Sequence, residues 1–302
     1  MKLKESLKKT GCLFRETFNE FINDNVLKLS AALSYYTIFA MPPLLIIVIS
    51  WCGLYFGPQA IQGELYGQIK DLVGSQAALQ IQEIIKNVNL SSHTTVTATI
   101  GVIILVIGAS GVFAEIQDSI NYIWGIKSKP KRGFIRFVVN RLMSFSMIAS
   151  VGFLLLVSLV ISSLMEILNK KLLIHLPPET IYLYYVLNLV MLFLIITLLF
   201  VVIFKILPDG KIAFRDCILG ASFTAVLFMG GKFAIGAYLG NSGIATVYGS
   251  AGSIILILAW IYYSALILYF GAEFTKVYSK IYGRKIIPNK YTVLITKSEG
   301  NL

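Results

Sequence analysis

Four hydroxyl-bearing residues, Ser34, Tyr35, Tyr36 and Thr37, stand just ahead of an adjacent pair of prolines, Pro42 and Pro43. All six lie in the charge-free stretch LSAALSYYTIFAMPPLLIIVISWCGLYFG, Leu29 to Gly57. The prolines remove the amide donors that would serve the carbonyls of Ile38 and Phe39. Carbonyls freed inside a bilayer must meet hydroxyls, water or another helix. A broken helix with exposed carbonyls is also how transporters build binding sites at mid-membrane. Both readings stay open at this point: a polar cavity, or a kink that a neighbouring helix satisfies.

Three further places put costly polarity near apolar segments, and such polarity marks function by default. Lys232 is a formal charge within an otherwise apolar run, with snorkelling to an interface or cavity lining as its alternatives. In FAEIQDSINYIWGIK, Glu115, Asp118 and Asn121 recur every third residue, which forms one polar ridge of a helix. Glu273 sits in GAEFTKVYSKIYGRK, a stretch that aligns its Ala-Glu pair with Ala114-Glu115 in the manner of a faint repeat. These acids suit either interfacial ion pairs with Lys205, Lys211 or Arg215, or a coupling-ion site.

Catalytic constellations are missing. His93 and His175 lie far apart in the sequence, and there is no P-loop, G-x-S-x-G or H-E-x-x-H motif. The three cysteines, Cys12, Cys52 and Cys217, lack metal-ligand spacing and do not suggest a disulfide framework. The expectation is a protein that is not an enzyme and that needs no cofactor and no metal.

The elements that must position these residues are membrane helices. The chain has 302 residues, 57% hydrophobic and 14% charged, where a soluble domain carries about a quarter. Its mean hydropathy is +0.77. The expected fold is all-α and polytopic, with six transmembrane helices near Leu29–Tyr55, Thr94–Phe113, Leu142–Leu164, Ile181–Phe204, Phe214–Leu239 and Val247–Ala272. Lysine and arginine concentrate in the N-terminal arm, in the loops holding Lys127 to Arg141 and Lys205 to Arg215, and in the tail from Lys276. The positive-inside rule then makes both termini cytoplasmic. Spread over every inner loop, the net charge of +11 suits anionic lipid, not nucleic acid.

Residues 1–28 read as an amphipathic cytoplasmic arm, 29–273 as the membrane domain and 274–302 as a basic cytoplasmic tail. The arm carries Leu3, Leu7, Phe14, Phe18, Phe21 and Ile22 as an apolar stripe. The outer loop 57–93 reads as two short amphipathic helices.

LSAALSYYTIFAMPPLL, EIQDSINYIWGIK and ILPDGKIAFRDCILGASFTAVLFMGGKFAIGAYLGNSGIATVYGSAGSIILILAWIYYSALILYFGAEF resemble the YihY/BrkB family of bacterial inner-membrane proteins. The resemblance runs from about Phe18 to Tyr278. It implies six helices and a multi-pass protein of the bacterial plasma membrane. The family has also carried a ribonuclease BN label, which the residue inventory does not support. Two functional expectations follow: a secondary transporter or exporter of a small solute or lipid-like molecule, or a non-transporting scaffold for an envelope assembly. The expected partners are membrane lipids and that substrate, without nucleic acid, and a homo-oligomer stays open.

Overall fold

The computed structural model describes residues 2–40, 79, 111–128, 179–241, 252–289 and 292–295. Pro42, Pro43, nearly all of the expected loop 57–93, the expected third span, and residues 41–55 and 94–110 of the first two expected spans lie outside the described residues. Apart from the single helical residue Leu79, the described residues form six helices: α1 (Lys2–Asn23), α2 (Val26–Ala40), α3 (residues 111–123), α4 (Glu179–Ile206), α5 (Phe214–Asn241) and α6 (Gly252–Ile281). Among the described residues, three stretches are long and apolar enough to cross a membrane: Val186–Ile206, Phe214–Tyr238 and Ile254–Ile281. At 1.5 Å per residue, the shortest of these spans about 30 Å, the thickness of a hydrocarbon core. Leu187, Leu189, Val190, Leu194 and Leu198 of α4 are exposed, as are Val226 and Phe233 of α5. Apolar outer faces of this kind are what acyl chains solvate.

Three helices, α1, α3 and α4, stop for a local reason. Asn25 takes the left-handed conformation (φ 52°) that closes α1, with its N–H on the Ile22 carbonyl at 3.1 Å. Its own carbonyl accepts from Lys28 at 2.9 Å and starts α2. Gly125 (φ 66°) ends α3 in the same way, and any Cβ there would lie 3.0 Å from the Ile295 carbonyl oxygen. After α4, Pro208 cannot continue the helix and the chain turns through Asp209 and Gly210.

Among the described residues, four short strands depart from an all-helical reading: β1 (Ile126–Ser128), β2 (Gly210–Lys211), β3 (Ile287–Pro288) and β4 (Thr292–Leu294). They form two antiparallel pairs. β1 pairs with β4 in the register Ile126↔Leu294, and β2 with β3 in the register Gly210↔Pro288. Both tail strands therefore pair with turns that immediately follow helices.

Two compact units divide the chain. The first comprises Met1–Glu20, Ile120–Leu227 and Phe270–Leu302; the second comprises Phe21–Ser119 and Phe228–Tyr269. In the first unit, Leu13, Phe274 and Val277 form a buried cluster edged by Phe223, Tyr278 and Ile281. The rings of Phe223 and Phe274 stack at 3.9 Å. The second unit buries Val26, Leu33, Leu256, Ile257 and Tyr269, and sets Phe228 edge-on to Trp260 at 6.0 Å.

Within the first unit, α5 and α6 meet through a reciprocal pair. A Cβ at Gly220 would sit 1.9 Å from Thr275 Oγ1, and one at Gly271 would sit 1.9 Å from Thr224 Oγ1. Each threonine hydroxyl donates to the carbonyl four residues back, Thr224 to Gly220 at 2.7 Å and Thr275 to Gly271 at 2.6 Å. Small residues at the crossing let the two backbones close together, and back-bonding hides the hydroxyls that this contact would otherwise strand.

Candidate functional site

The first unit gathers polar groups at a clasp of turns and tail. Asp209 is its centre. Its N–H donates to Asn121 Oδ1 at 2.8 Å, while its Oδ2 accepts from Asn121 Nδ2 at 3.0 Å. Its carbonyl accepts from the Asn289 N–H and from Thr292 Oγ1, both at 3.0 Å. Trp124 donates its indole N–H to the Ala272 carbonyl at 3.2 Å, and Ile295 N–H reaches the Gly125 carbonyl at 2.7 Å. Asp216, in the first turn of α5, accepts the Arg284 N–H at 3.1 Å. A Cβ at Gly283 would fall 1.9 Å from the same Asp216 oxygen, so glycine there is a matter of space. Asn121 is thus engaged as a joint between α3 and the turn after α4.

Glu273 lies one residue beyond Ala272 in α6 and is fully buried. Its Oε2 is 3.2 Å from Lys276 Nζ, which also holds Glu20 Oε2 at 2.6 Å. Lys280 pairs with Glu16 at 2.6 Å. Glu16 and Glu20 of α1 therefore meet the basic last turns of α6. Lys205 donates to the Ile212 carbonyl, and the lysine beside Glu273 comes from its own helix. The buried face of α1 is Leu13 and Thr17, whereas Phe14, Phe18 and Ile22 of the apolar stripe remain substantially exposed.

The second unit holds the other polar group. Ser119 is buried and donates to Glu115 Oε1 at 3.3 Å. Tyr269 of α6 is fully buried, with its hydroxyl near Ser119. Burial, first, and the negative charge of Asp118 push the Glu115 carboxyl above the usual carboxylate range, against the lowering effect of the Ser119 hydrogen bond. Asp118 itself is exposed.

The remaining predicted residues stand apart from these groups. Ser34 is buried and donates to the Ser30 carbonyl at 2.7 Å, and Thr37 to the Leu33 carbonyl at 2.7 Å. Both hydroxyls serve their own helix. Tyr35 and Tyr36 are exposed, with Tyr35 packed on Phe39 at 4.8 Å. Lys232 is half-buried, and its ammonium lies 5.7 Å from the centroid of the exposed Phe233 ring, a cation–π distance. Sequence reading did not single out Asp209 as a hub, nor Ser119 and Tyr269 at all.

Long apolar helices, lipid-compatible faces and buried intrahelical polarity define a multi-pass helical membrane protein. Residues 17–290 match the model of the family described as virulence factor BrkB, and the chain belongs to that family. A UPF0761 membrane protein of Pseudomonas paraeruginosa is 26% identical over 284 residues, covering 91% of this chain and 65% of the relative. Another, of Haemophilus influenzae, is 24% identical over 289 residues, covering 91% of this chain and 97% of that protein. A third, of Alkalilimnicola ehrlichii, is 28% identical and is covered over 56% of its length. The chain spans less than two thirds of the length of the Pseudomonas relatives. No solved structure matches it.

Proposed function

We propose that the chain is a secondary transporter or exporter of a small solute or lipid-like molecule in the bacterial plasma membrane. In this reading it has six spans and both termini in the cytoplasm, and it works with membrane lipids and without nucleic acid, cofactor or catalytic chemistry. The supporting observation is the polarity drawn into apolar helices: Glu273 and Tyr269 are fully buried in α6, and Ser119 is buried beside Glu115 at the end of α3. Such groups are expensive in a membrane protein and mark substrate or ion pathways. The orientation follows from the lysines and arginines of the arm, turns and tail.

A scaffold for an envelope assembly is favoured by one separate observation, the exposed Phe14, Phe18 and Ile22 on α1. Mass spectrometry of cell extracts and spent medium separates the two readings. A deletion strain should retain or lose a definable solute class relative to wild type, and a Glu273→Gln copy expressed at normal abundance should fail to restore it. Identical profiles in all three strains would end the transport reading.

A further inference from the structure

We propose that the outward side of α1 is a binding surface for an anionic phospholipid, with the Arg15 guanidinium on the phosphate and the Phe14 and Phe18 rings against the acyl chains. This deepens the part of the reading above in which the chain works with membrane lipids, and it rests on that part, not on transport.

The helix has two opposite sides. Glu16 and Glu20 are about one turn apart, as are Phe14 and Phe18. At 3.6 residues per turn, each phenylalanine lies about 200° around the helix from the glutamate two residues on. The acids face α6: Glu16 pairs with Lys280 and Glu20 with Lys276, each at 2.6 Å. The partner number falls by four as the α1 number rises by four, so α1 runs antiparallel alongside the last turns of α6. On the other side, Phe14 keeps 45% of its surface exposed and Phe18 keeps 58%. Arg15, three residues before Phe18, is exposed beside it.

Three observations favour lipid as the occupant. The first is continuity with a membrane-length helix. Phe14 packs on Phe223 of α5 at 5.8 Å and on Phe274 of α6 at 5.9 Å. Leu219, one turn before Phe223, is exposed within Phe214–Tyr238, a stretch long and apolar enough to cross a membrane. The second is how the charges are covered. Lys280 keeps 60% of its side-chain surface, Lys276 keeps 21% and Glu273 none, so protein covers charge more completely toward the apolar part of α6. A helix pair entering hydrocarbon needs that order, because charge facing acyl chains is costly. The third is charge complementarity. With Glu16 and Glu20 paired, the exposed charges of the described α1 side chains are Lys9 and Arg15, both positive. A guanidinium fork suits phosphate. Arg15 also lies about 4.5 Å nearer the Ile281 end than Phe18 does, at headgroup level when that ring is among acyl chains. Lipid on this side takes away the observation that favours a scaffold.

The test uses the full-length protein in vesicles of phosphatidylcholine and phosphatidylglycerol. In Phe18→Trp, the fluorescence added to that of the three native tryptophans should be quenched by lipid brominated on its acyl chains and spared by aqueous iodide. Native mass spectrometry of protein released from the vesicles should show phosphatidylglycerol retained in preference to phosphatidylcholine. Arg15→Gln should weaken phosphatidylglycerol binding about fivefold, the contribution of one basic residue at an anionic membrane surface. Arg15→Lys should restore most of it, and Phe18→Ala should weaken binding of both lipids. If Phe18→Trp folds poorly, the two Arg15 variants still decide the matter. Quenching by iodide in place of bromine, equal retention of the two lipids by wild type, or unchanged binding in Arg15→Gln would overturn the surface. So would a dimer that Phe18→Ala dissolves, which would give this side to a second copy. Selective lipid binding together with absent solute flux would instead overturn only the transport reading.

Discussion

Replacing Gly271 with alanine inserts a methyl group where α5 and α6 pack tightly. The new Cβ would lie 1.9 Å from Thr224 Oγ1 and 2.8 Å from both Thr224 Cβ and Cγ2. Rotating the threonine about χ1 relieves the first contact but leaves the second, because Cβ is fixed to the backbone. The helices must therefore separate or the neighbouring side chains must leave their rotamers. Overpacking of this kind costs about 1–3 kcal/mol, against which alanine's better helix propensity returns at most about 1 kcal/mol. The expected net loss is about 1–2 kcal/mol. Thr224→Gly with Gly271→Ala swaps the methyl group to the opposite helix and should recover much of it. Thr224→Ala alone, which removes the intrahelical back-bond of 2.7 Å, should cost less, on the order of 0.5 kcal/mol for one intramolecular hydrogen bond. The assay is equilibrium unfolding in mixed micelles with membrane abundance measured in parallel. Gly271→Ala as stable as wild type, or a double variant worse than the single one, would refute the packing argument.

Two other outcomes follow. Asn121→Ala should destabilise the clasp by about 1–3 kcal/mol, because it strips Asp209 of both a donor and an acceptor; hydrogen exchange should show faster opening of Ile126–Ser128 and Thr292–Leu294 together, and unchanged protection there would contradict the clasp. For orientation, single cysteines placed in the outer loop 57–93 should react with an impermeant reagent on intact cells, while those between Lys127 and Arg136 should not, and the reverse pattern would invert the topology.

The end of α4 and the start of α5 were legible because Pro208, Asp209 and Gly210 interrupt a long apolar run. The end of α6 was not. Glu273, Lys276 and Lys280 lower hydropathy after Ala272, yet the helix continues to Ile281, with Lys276 and Lys280 paired to Glu20 and Glu16 on α1 and Glu273 paired to Lys276. The tail strands were missed for a different reason. Their partners, Ile126–Ser128 and Gly210–Lys211, are remote in sequence, and two- or three-residue strands leave no alternation to read. Glu115 was found from its spacing. Tyr269 was hidden, since an aromatic residue in ALILYFGAEF reads as packing until its hydroxyl is seen buried beside Ser119. Ser34 and Thr37 show the converse: hydroxyls suited to a cavity that spend their protons on their own helix.

The account's central claim is tested most directly by flux through the purified protein. Liposomes reconstituted with the full chain would be loaded with a metabolite and lipid-precursor extract of the host cell, given an imposed pH gradient, and their contents followed by mass spectrometry. At least one solute class should leave or accumulate faster than in protein-free liposomes, with its rate set by the gradient and abolished in Glu273→Gln. Retention indistinguishable from protein-free liposomes, at every gradient and for every solute class, would contradict it.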